Sequence, residues 1–247
     1  FFKRLLDHVA ETDDLPEAEE PRIHDGPLLK IDGAKILLKY ILKVLVPKII
    51  GRISSGLLTR NEIRWSVAYA KHNNFSKSLW RYKEIENPKG RYLADPFIIE
   101  HNNRKIIFVE DFFYSENKGR ISAIELKDDE EEFLGVVLNE DFHLSFPFVF
   151  KHKEKVYMVP ESSGANDIRL YRCVKFPKEW VLEKILMKDV SAADTMIVKE
   201  DKLWYMLTNI CSAKLGDHNS ELHIFYSEEI HSDEWLPIKS GNPVIFD

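Results

Sequence analysis

A repeat of about 50 residues constrains the fold of this chain more than any other feature of its sequence. Each copy opens with two hydrophobic runs that read as strands and are bounded by polar turn residues. The first runs of the successive copies are 94–99, 145–150, 193–198 and 241–246. The second runs of the first three copies are 105–111, 155–162 and 202–209. Two more strand-like runs follow in each complete copy, and four strands in a repeat of this length are typical of propeller blades.

The repeat sets the expected organisation of residues 61–247. Three copies are complete, and we interpret 241–246 as the opening of a fourth. The runs 63–70 and 80–85 lie upstream of the first copy, so we expect them to complete the last blade of a ring without exposed sheet edges. The sequence therefore predicts an all-β fold, a five-bladed β-propeller that is truncated in blade four and incomplete in this fragment.

Residues 1–58 differ from the repeats and read as a helical and linker segment. The first 30 residues are acidic and interrupted by proline, which is typical of a linker or of the tail of an upstream domain. Within 33–52, the side chains of Lys35, Lys39 and Lys43 would form one stripe of a basic amphipathic helix. We expect this helix to cover the propeller or an upstream domain, and the alternative is peripheral contact with an anionic membrane surface.

Charge and cysteine content narrow the expected partners. A net charge of −6 argues against a general nucleic-acid binder, which needs clustered Lys and Arg. Cys173 and Cys211 are too few for a disulfide framework, so we expect a cytoplasmic location, with membrane association as the alternative. The remaining expected partners are a glycan or a sugar-containing small molecule, and upstream and downstream domains of the same chain.

Acidic residues recur at the positions that a propeller brings to its hub. The start of a blade's first strand and the end of its second lie on one face, because the two strands are antiparallel. The strand starts are Asp95, Phe146, Asp194 and Asn242, and the strand ends are Glu110, Glu161 and Asn209. Carboxylates that share one funnel repel one another, so at least one of them should have a raised pKa. Glycoside chemistry uses one protonated and one ionised carboxyl group.

We therefore predict a carbohydrate site at the hub. Its catalytic candidates are Asp95, Glu161 and Asp194. Its substrate-binding candidates are Glu110, Asp111, His143, Ser145 and Arg91. The alternative for the aspartates is that they cap turns, and the alternative for His143 is a structural role. No organic cofactor is predicted, although clustered carboxylates also suit a divalent cation.

Several short motifs follow one another in a specific order. They are Trp65-Ser66-Val67-Ala68, Gly90-Arg91-Tyr92-Leu93-Ala94-Asp95-Pro96-Phe97, Phe108-Val109-Glu110-Asp111, His143-Leu144-Ser145-Phe146-Pro147-Phe148, Pro160-Glu161-Ser162 and Ala193-Asp194-Thr195-Met196. Together they resemble the N-terminal β-propeller domain of the glucosamine inositolphosphorylceramide transferase family, in particular its bacterial relatives. The resemblance implies that a separate glycosyltransferase domain performs the transfer. It also implies that residues 1–58 are the tail of a further domain, which in some bacterial relatives is formyltransferase-like.

The expected fold also resembles the five-bladed propellers of furanosidases and fructosidases. Those enzymes place acids on the innermost strands of their first two blades and a glutamate in a later blade. Asp95 matches the first position, but Phe146 stands where the second aspartate would be, which puts the standard hydrolase mechanism in doubt. Glu161 or Asp194 would have to substitute.

Three functions follow from these observations. The first is a carbohydrate-recognising propeller module of a glycosyltransferase-associated protein that acts on surface or lipid-linked glycans. The second is a glycosidase-like enzyme that uses Asp95 as base or nucleophile and Glu161 as general acid. The third is a protein-interaction propeller, in which the hub acids would be dispensable.

Overall fold

The computed structural model describes residues 42–43, 64–70, 82–127, 130–211 and 221–246. The chain divides into two compact units, Phe1–Glu62 and Ile63–Asp247, and the strands described below belong to the second. Apart from 42–43, the predicted linker and amphipathic helix lie outside the described residues. Among the described residues, no helix is long and apolar enough to cross a membrane.

The described strands form four antiparallel sheets. A small sheet consists of β1 (Val67–Tyr69) and β2 (Lys83–Ile85). The first blade consists of β3 (Arg91–His101), β4 (Arg104–Phe113), β5 (Lys118–Lys127) and β6 (Glu130–Leu138). The second blade consists of β7 (Ser145–His152), β8 (Lys155–Glu161), β9 (Asp167–Lys175) and β10 (Glu179–Lys188). The third blade contains β11 (Ala192–Glu200), β12 (Leu203–Ile210), β13 (Glu221–Ser227), β14 (Leu236–Pro237) and β15 (Ile245–Phe246).

Each blade is a meander whose first strand lies at the hub. Strands β3 and β7 lie side by side, and β7 in turn lies beside β11. Tight turns join the first two strands of a blade, with positive φ at Asn102 and Asn103 and again at Lys153 and Glu154. Two consecutive positive φ values match the twist of a hairpin, and this keeps strand pairing in register. The predicted all-β propeller fold is therefore confirmed, and the described strands form part of it.

Apolar side chains fill the spaces between successive sheets. Ile106, Phe108 and Met158 belong to the core between the first and second blades, and none of them is exposed. Tyr157 and Met206 belong to the core between the second and third blades. Burial between sheets, rather than within one, is what makes neighbouring blades depend on each other.

The small β1–β2 sheet packs on the face of the first blade that is turned away from the second blade. Val67 and Ile85 lie in one cluster with Leu93, Ile107 and Val109 of that blade. This position agrees with strands of a neighbouring blade. That they complete a last blade stays a prediction.

The end of the repeat requires a correction. We interpreted 241–246 as the opening of a fourth blade, but Ile245 pairs with Leu222 of β13 and so extends the third blade. The Asn242 side chain donates to the carbonyl of Ile224 at 3.1 Å and accepts from its amide at 2.9 Å. Asn242 therefore mimics a strand partner at the outer edge of the third blade and does not belong to the hub ring.

Candidate functional site

A bulge interrupts the first strand of every described blade at the hub. Two residues of the inner strand stand opposite one residue of its neighbour in each case. The bulged pairs are Asp95-Pro96, Phe146-Pro147 and Asp194-Thr195. The first residue of each pair has a positive φ, of 48°, 44° and 53° respectively. This left-handed conformation costs about 1 kcal/mol in an L-residue, and bulges of this kind re-aim side chains at functional rims.

Asp95 connects the first blade to the second. Its Oδ2 accepts a hydrogen bond from the backbone amide of Phe146 at 3.3 Å. The carboxyl group of Asp95 therefore caps the bulge of the next blade. Asp95 remains partly exposed at the hub.

Glu110 lies three residues before the end of β4, the second strand of the first blade, and beside Asp95. It is 6% exposed. Burial, and then the charges of Asp95 and Glu161, raise the pKa of Glu110 to about 8, and its carboxyl is hydrogen-bonded to Asp95. Near neutral pH, Glu110 is therefore protonated. The role of Glu161 as general acid in the glycosidase-like alternative stays a prediction.

His143 contacts Glu110 from the loop that precedes the second blade. The backbone amide of Gly119 donates to Nδ1 at 2.9 Å, so in the neutral ring Nε2 bears the proton. Nε2 lies 3.4 Å from Oε1 of Glu110. Burial lowers the pKa of His143, so the ring faces Glu110 in its neutral form.

Gly119 is a site residue that the sequence analysis missed. A Cβ at this position would lie 2.5 Å from the carbonyl oxygen of Leu144, 2.8 Å from Cε1 of His143 and 3.0 Å from Oε1 of Glu110. Only glycine lets the backbone approach the histidine and the glutamate this closely. The sequence could have indicated this close approach, because a glycine inside a strand-like run often marks such a position.

Trp65 is a second missed residue, and it lies beside the two carboxyl groups. A cavity of about 470 Å³ is lined by Trp65, Ser66, Ala94, Asp95, Pro96 and Glu110. Trp65 is 61% exposed, which is unusual for the largest apolar side chain. The sequence could have indicated it, because Trp65 lies in the strand-like run 63–70 but outside the repeat copies.

Tyr92 adds an aromatic wall next to Glu110. Its ring stacks on Phe112 with centroids 4.8 Å apart. Burial, and then the charge of Glu110, raise the pKa of Tyr92 to about 12, and the two side chains are hydrogen-bonded. Tyr92 is therefore a neutral phenol at any physiological pH, and the sequence analysis did not select it.

Asp111 and Arg91 lie apart from the pair formed by Asp95 and Glu110. Asp111 is fully buried on the opposite side of β4 from Glu110, since successive side chains of a strand alternate. It accepts from Ser122 Oγ at 2.7 Å and from Arg91 Nη1 at 2.9 Å. The Arg91 guanidinium also lies over the ring of Phe113, 4.7 Å from its centroid. These two predicted substrate-binding residues form an internal ion pair and line neither described cavity.

The remaining candidates are distributed over the second and third blades. Ser145 is buried and pairs across the strands with Glu161. Glu161 is half-buried, accepts from Ser163 Oγ at 2.9 Å and acts on the pKa of Glu110. Asp194 occupies the third bulge, where Asn209 Nδ2 lies 3.5 Å from its Oδ2. The structure thus brings together Asp95, Glu110, His143 and Glu161, and places Asp194 one blade further round.

The geometry limits the chemistry of this site. The carboxyl groups of Asp95 and Glu110 interact directly with each other. Two hydrogen-bonded carboxyls, a neutral imidazole and two aromatic residues suit the binding of hydroxyl groups. Among the described residues, no group of three or more His, Cys, Asp or Glu side chains could hold a metal ion.

Comparison with known proteins identifies the family. The family described as "Glucosamine inositolphosphorylceramide transferase 1, N-terminal" matches residues 81–245, which span nearly all of the three described blades. The chain belongs to this family. A glucosamine inositolphosphorylceramide transferase 1 of Oryza sativa subsp. japonica is 38% identical over 138 residues, which are 55% of this chain and 18% of that protein. The Arabidopsis thaliana protein of the same name is 34% identical over 216 residues, which are 77% of this chain and 28% of that protein.

The chain therefore spans less than a third of the length of these plant members of the glucosamine inositolphosphorylceramide transferase family. Solved structures support the fold. A GH43 β-1,3-galactosidase has a TM-score of 0.51 and 13% identity, covering 66% of this chain and 38% of that one. An exo-β-1,3-galactanase from Clostridium thermocellum has a TM-score of 0.51 and 14% identity, covering 70% of this chain and 45% of that one. At this identity the similarity concerns the propeller fold alone.

Proposed function

We propose that the hub cavity recognises carbohydrate, and that the propeller is the glycan-binding module of a protein whose glycosyl transfer takes place in another domain. The observation behind this proposal is the exposed indole of Trp65 beside the hydrogen-bonded Asp95 and Glu110. An aromatic surface next to a few fixed polar groups is the usual composition of a small-molecule site. The protonated Glu110 supplies a donor to sugar hydroxyls, and the other carboxyl oxygens of the pair supply acceptors.

The family supports the same class of ligand. Its plant members are named as transferases of glucosamine to inositolphosphorylceramide, so we propose surface or lipid-linked glycans as the ligands of this chain. Contact of residues 33–52 with a membrane surface would place the site near such lipids, and this remains a proposal, as do a cytoplasmic location and a bound divalent cation. A bacterial origin also stays a prediction, because the relatives found are plant proteins.

A glycosidase-like activity is the second candidate. The observation in its favour is that Glu110 keeps its proton near neutral pH beside the carboxyl group of Asp95. The phenylalanine at position 146, where the second aspartate of such enzymes would stand, disfavours it. A protein-interaction propeller is the third candidate, and it would not need carboxyls at the hub.

The test is binding of the 247-residue chain to a glycan array and to nucleotide sugars, with assay of released sugar. We expect binding without turnover, and we expect Trp65→Ala to lower the affinity at least tenfold without changing the thermal midpoint, because Trp65 is exposed. Leu182→Ala, an exposed apolar residue of β10, is the matched control and should bind normally.

Two results would contradict the proposal. Release of sugar that disappears in Asp95→Asn would assign a glycosidase. Absence of binding to every sugar tested, with the protein folded, would remove carbohydrate recognition altogether.

A further inference from the structure

A second cavity adjoins the first. It has a volume of about 490 Å³ and is lined by Arg64, Trp65, Ser66, Glu84, Glu86 and Asn87. Trp65 and Ser66 line both cavities, so the tryptophan stands at the boundary between them. Each cavity alone lies within the size range of small-molecule sites. A ligand lying along Trp65 can therefore occupy both.

Asn87 fixes the position of Trp65 relative to the first blade. Asn87 Nδ2 donates to the carbonyl oxygen of Trp65 at 2.6 Å. Its Oδ1 accepts from the amide of Leu93 at 3.1 Å, in the strand that carries Asp95. One amide side chain thus ties the tryptophan to the strand that supplies the first cavity. This arrangement is set before any ligand arrives, which lowers the entropy lost on binding.

The polar groups of the second cavity fit hydroxyl groups better than phosphate. Glu84 and Glu86 flank Ile85, which is 4% exposed. Because side chains alternate along an extended chain, both carboxylates lie on the side opposite the buried Ile85. Arg64 supplies donors, and Asn87 lies beside them. Two carboxylates for one guanidinium would repel a phosphate, whereas hydroxyls can donate to the first and accept from the second.

We infer that the carbohydrate site continues past Trp65 into a second subsite, formed by Arg64, Glu84 and Glu86, that binds the next sugar ring of the ligand. This inference rests on the proposed function. It assigns to the module a glycan of at least two rings. One ring lies at Asp95 and Glu110, and the adjoining ring lies at Glu84 and Glu86. Trp65 contacts both rings.

The test compares oligosaccharides of increasing length. The probes are one-, two- and three-residue ladders of glucose, galactose, glucosamine and N-acetylglucosamine, bound to the 247-residue chain and measured by calorimetry. We expect a disaccharide to bind at least tenfold more tightly than its monosaccharide. In Glu84→Ala/Glu86→Ala this gain should fall to about threefold or less, with the monosaccharide affinity unchanged.

A matched control separates the subsite from a general charge effect. Glu130→Ala/Glu132→Ala removes two exposed glutamates with the same spacing from β6, and it should keep the full gain. Both variants should retain the thermal midpoint, because all four side chains are exposed.

Each other outcome overturns part of the argument. Equal affinity for one and two rings would leave carbohydrate recognition standing and remove the second subsite. A length dependence that survives Glu84→Ala/Glu86→Ala would place the second ring elsewhere. Competition by inorganic pyrophosphate, weakened in Arg64→Ala, would assign the second cavity to phosphate. Failure to bind any ladder would overturn the proposed function itself.

Discussion

At Glu110, burial and neighbouring negative charges act in the same direction. A carboxylate at this position would be desolvated and would face both Asp95 and Glu161, so the protonated form is favoured in the folded protein. His143 cannot compensate, because its own burial disfavours the charged ring. The folded state therefore binds a proton at Glu110 that the unfolded chain releases near pH 4.5.

This difference predicts a pH-dependent stability. The contribution of Glu110 is fully present below pH 4.5 and is lost as the pH rises towards about 8, where the folded-state group ionises. Each pKa unit corresponds to about 1.4 kcal/mol, so we expect a loss of a few kcal/mol across this interval. Thermal melts between pH 5 and pH 9 measure it.

Glu110→Gln should flatten this dependence, since the amide can still donate to Asp95 but cannot ionise. Glu200→Gln, at the exposed end of β11, should melt like the parent chain at every pH. If Glu110→Gln and the parent lost stability in parallel, the proton would be held elsewhere.

At the scale of single elements, the strands carry their strain at their two ends. At the hub end, the bulge holds Asp95, Phe146 and Asp194 at positive φ. At the opposite end of β7, the turn to β8 (the β7–β8 turn) places Lys153 and Glu154 at positive φ as well. The strained bulge at the hub positions side chains of the candidate site, whereas the β7–β8 turn only joins two strands. Removing backbone strain from the β7–β8 turn should therefore leave the candidate site unchanged.

We predict that Lys153→Asn/Glu154→Gly stabilises the protein by about 1 kcal/mol, because Asn-Gly is the favoured pair for this hairpin turn. The thermal midpoint should rise by about 2–4 °C. Asn103→Gly, in the equivalent turn of the first blade, should have a smaller effect, since asparagine already tolerates positive φ. A loss of stability in the double variant would contradict the assigned turn geometry.

At the scale of the whole molecule, the blades are joined through their faces. Phe108 is fully buried between the first and second blades and meets the ring of Trp180 edge-on, 5.4 Å between centroids. The Asp95–Phe146 hydrogen bond joins the same two blades at the hub. The candidate site lies at this junction, so its geometry depends on the packing below it. The full ring of five blades, and the domains that accompany it, remain predictions.

We predict that Phe108→Ala lowers the free energy of unfolding by about 3–5 kcal/mol, the usual cost of removing a buried aromatic ring. Urea denaturation followed by tryptophan fluorescence measures this loss. Phe133→Ala removes the same side chain from a position that is 39% exposed, where it contacts Arg91, and should cost less than about 1 kcal/mol. Similar losses in the two variants would show that the blades do not share a core.

The sequence by itself determined the class of fold and which positions of successive blades are equivalent at the hub. Strand repeats of about 50 residues specify blades, because each blade needs the same alternation to bury both of its faces. Equivalent positions in successive repeats must then occupy equivalent places around the hub. Asp95, Phe146 and Asp194 were predicted to be equivalent on this ground, and all three occupy the same bulge. The repeat failed only at 241–246, where a similar motif belongs to an outer strand.

Only the tertiary structure decided which side chains meet. Alternation places Glu110 and Asp111 on opposite sides of one strand, but the next blade decides which side is the hub and which is the core. The proton on Glu110, the close approach of Gly119 to His143 and the exposure of Trp65 all arise from groups that are distant in sequence. A local pattern cannot encode them, because burial and Coulomb interactions depend on distances through space, and these exist only once the blades have packed.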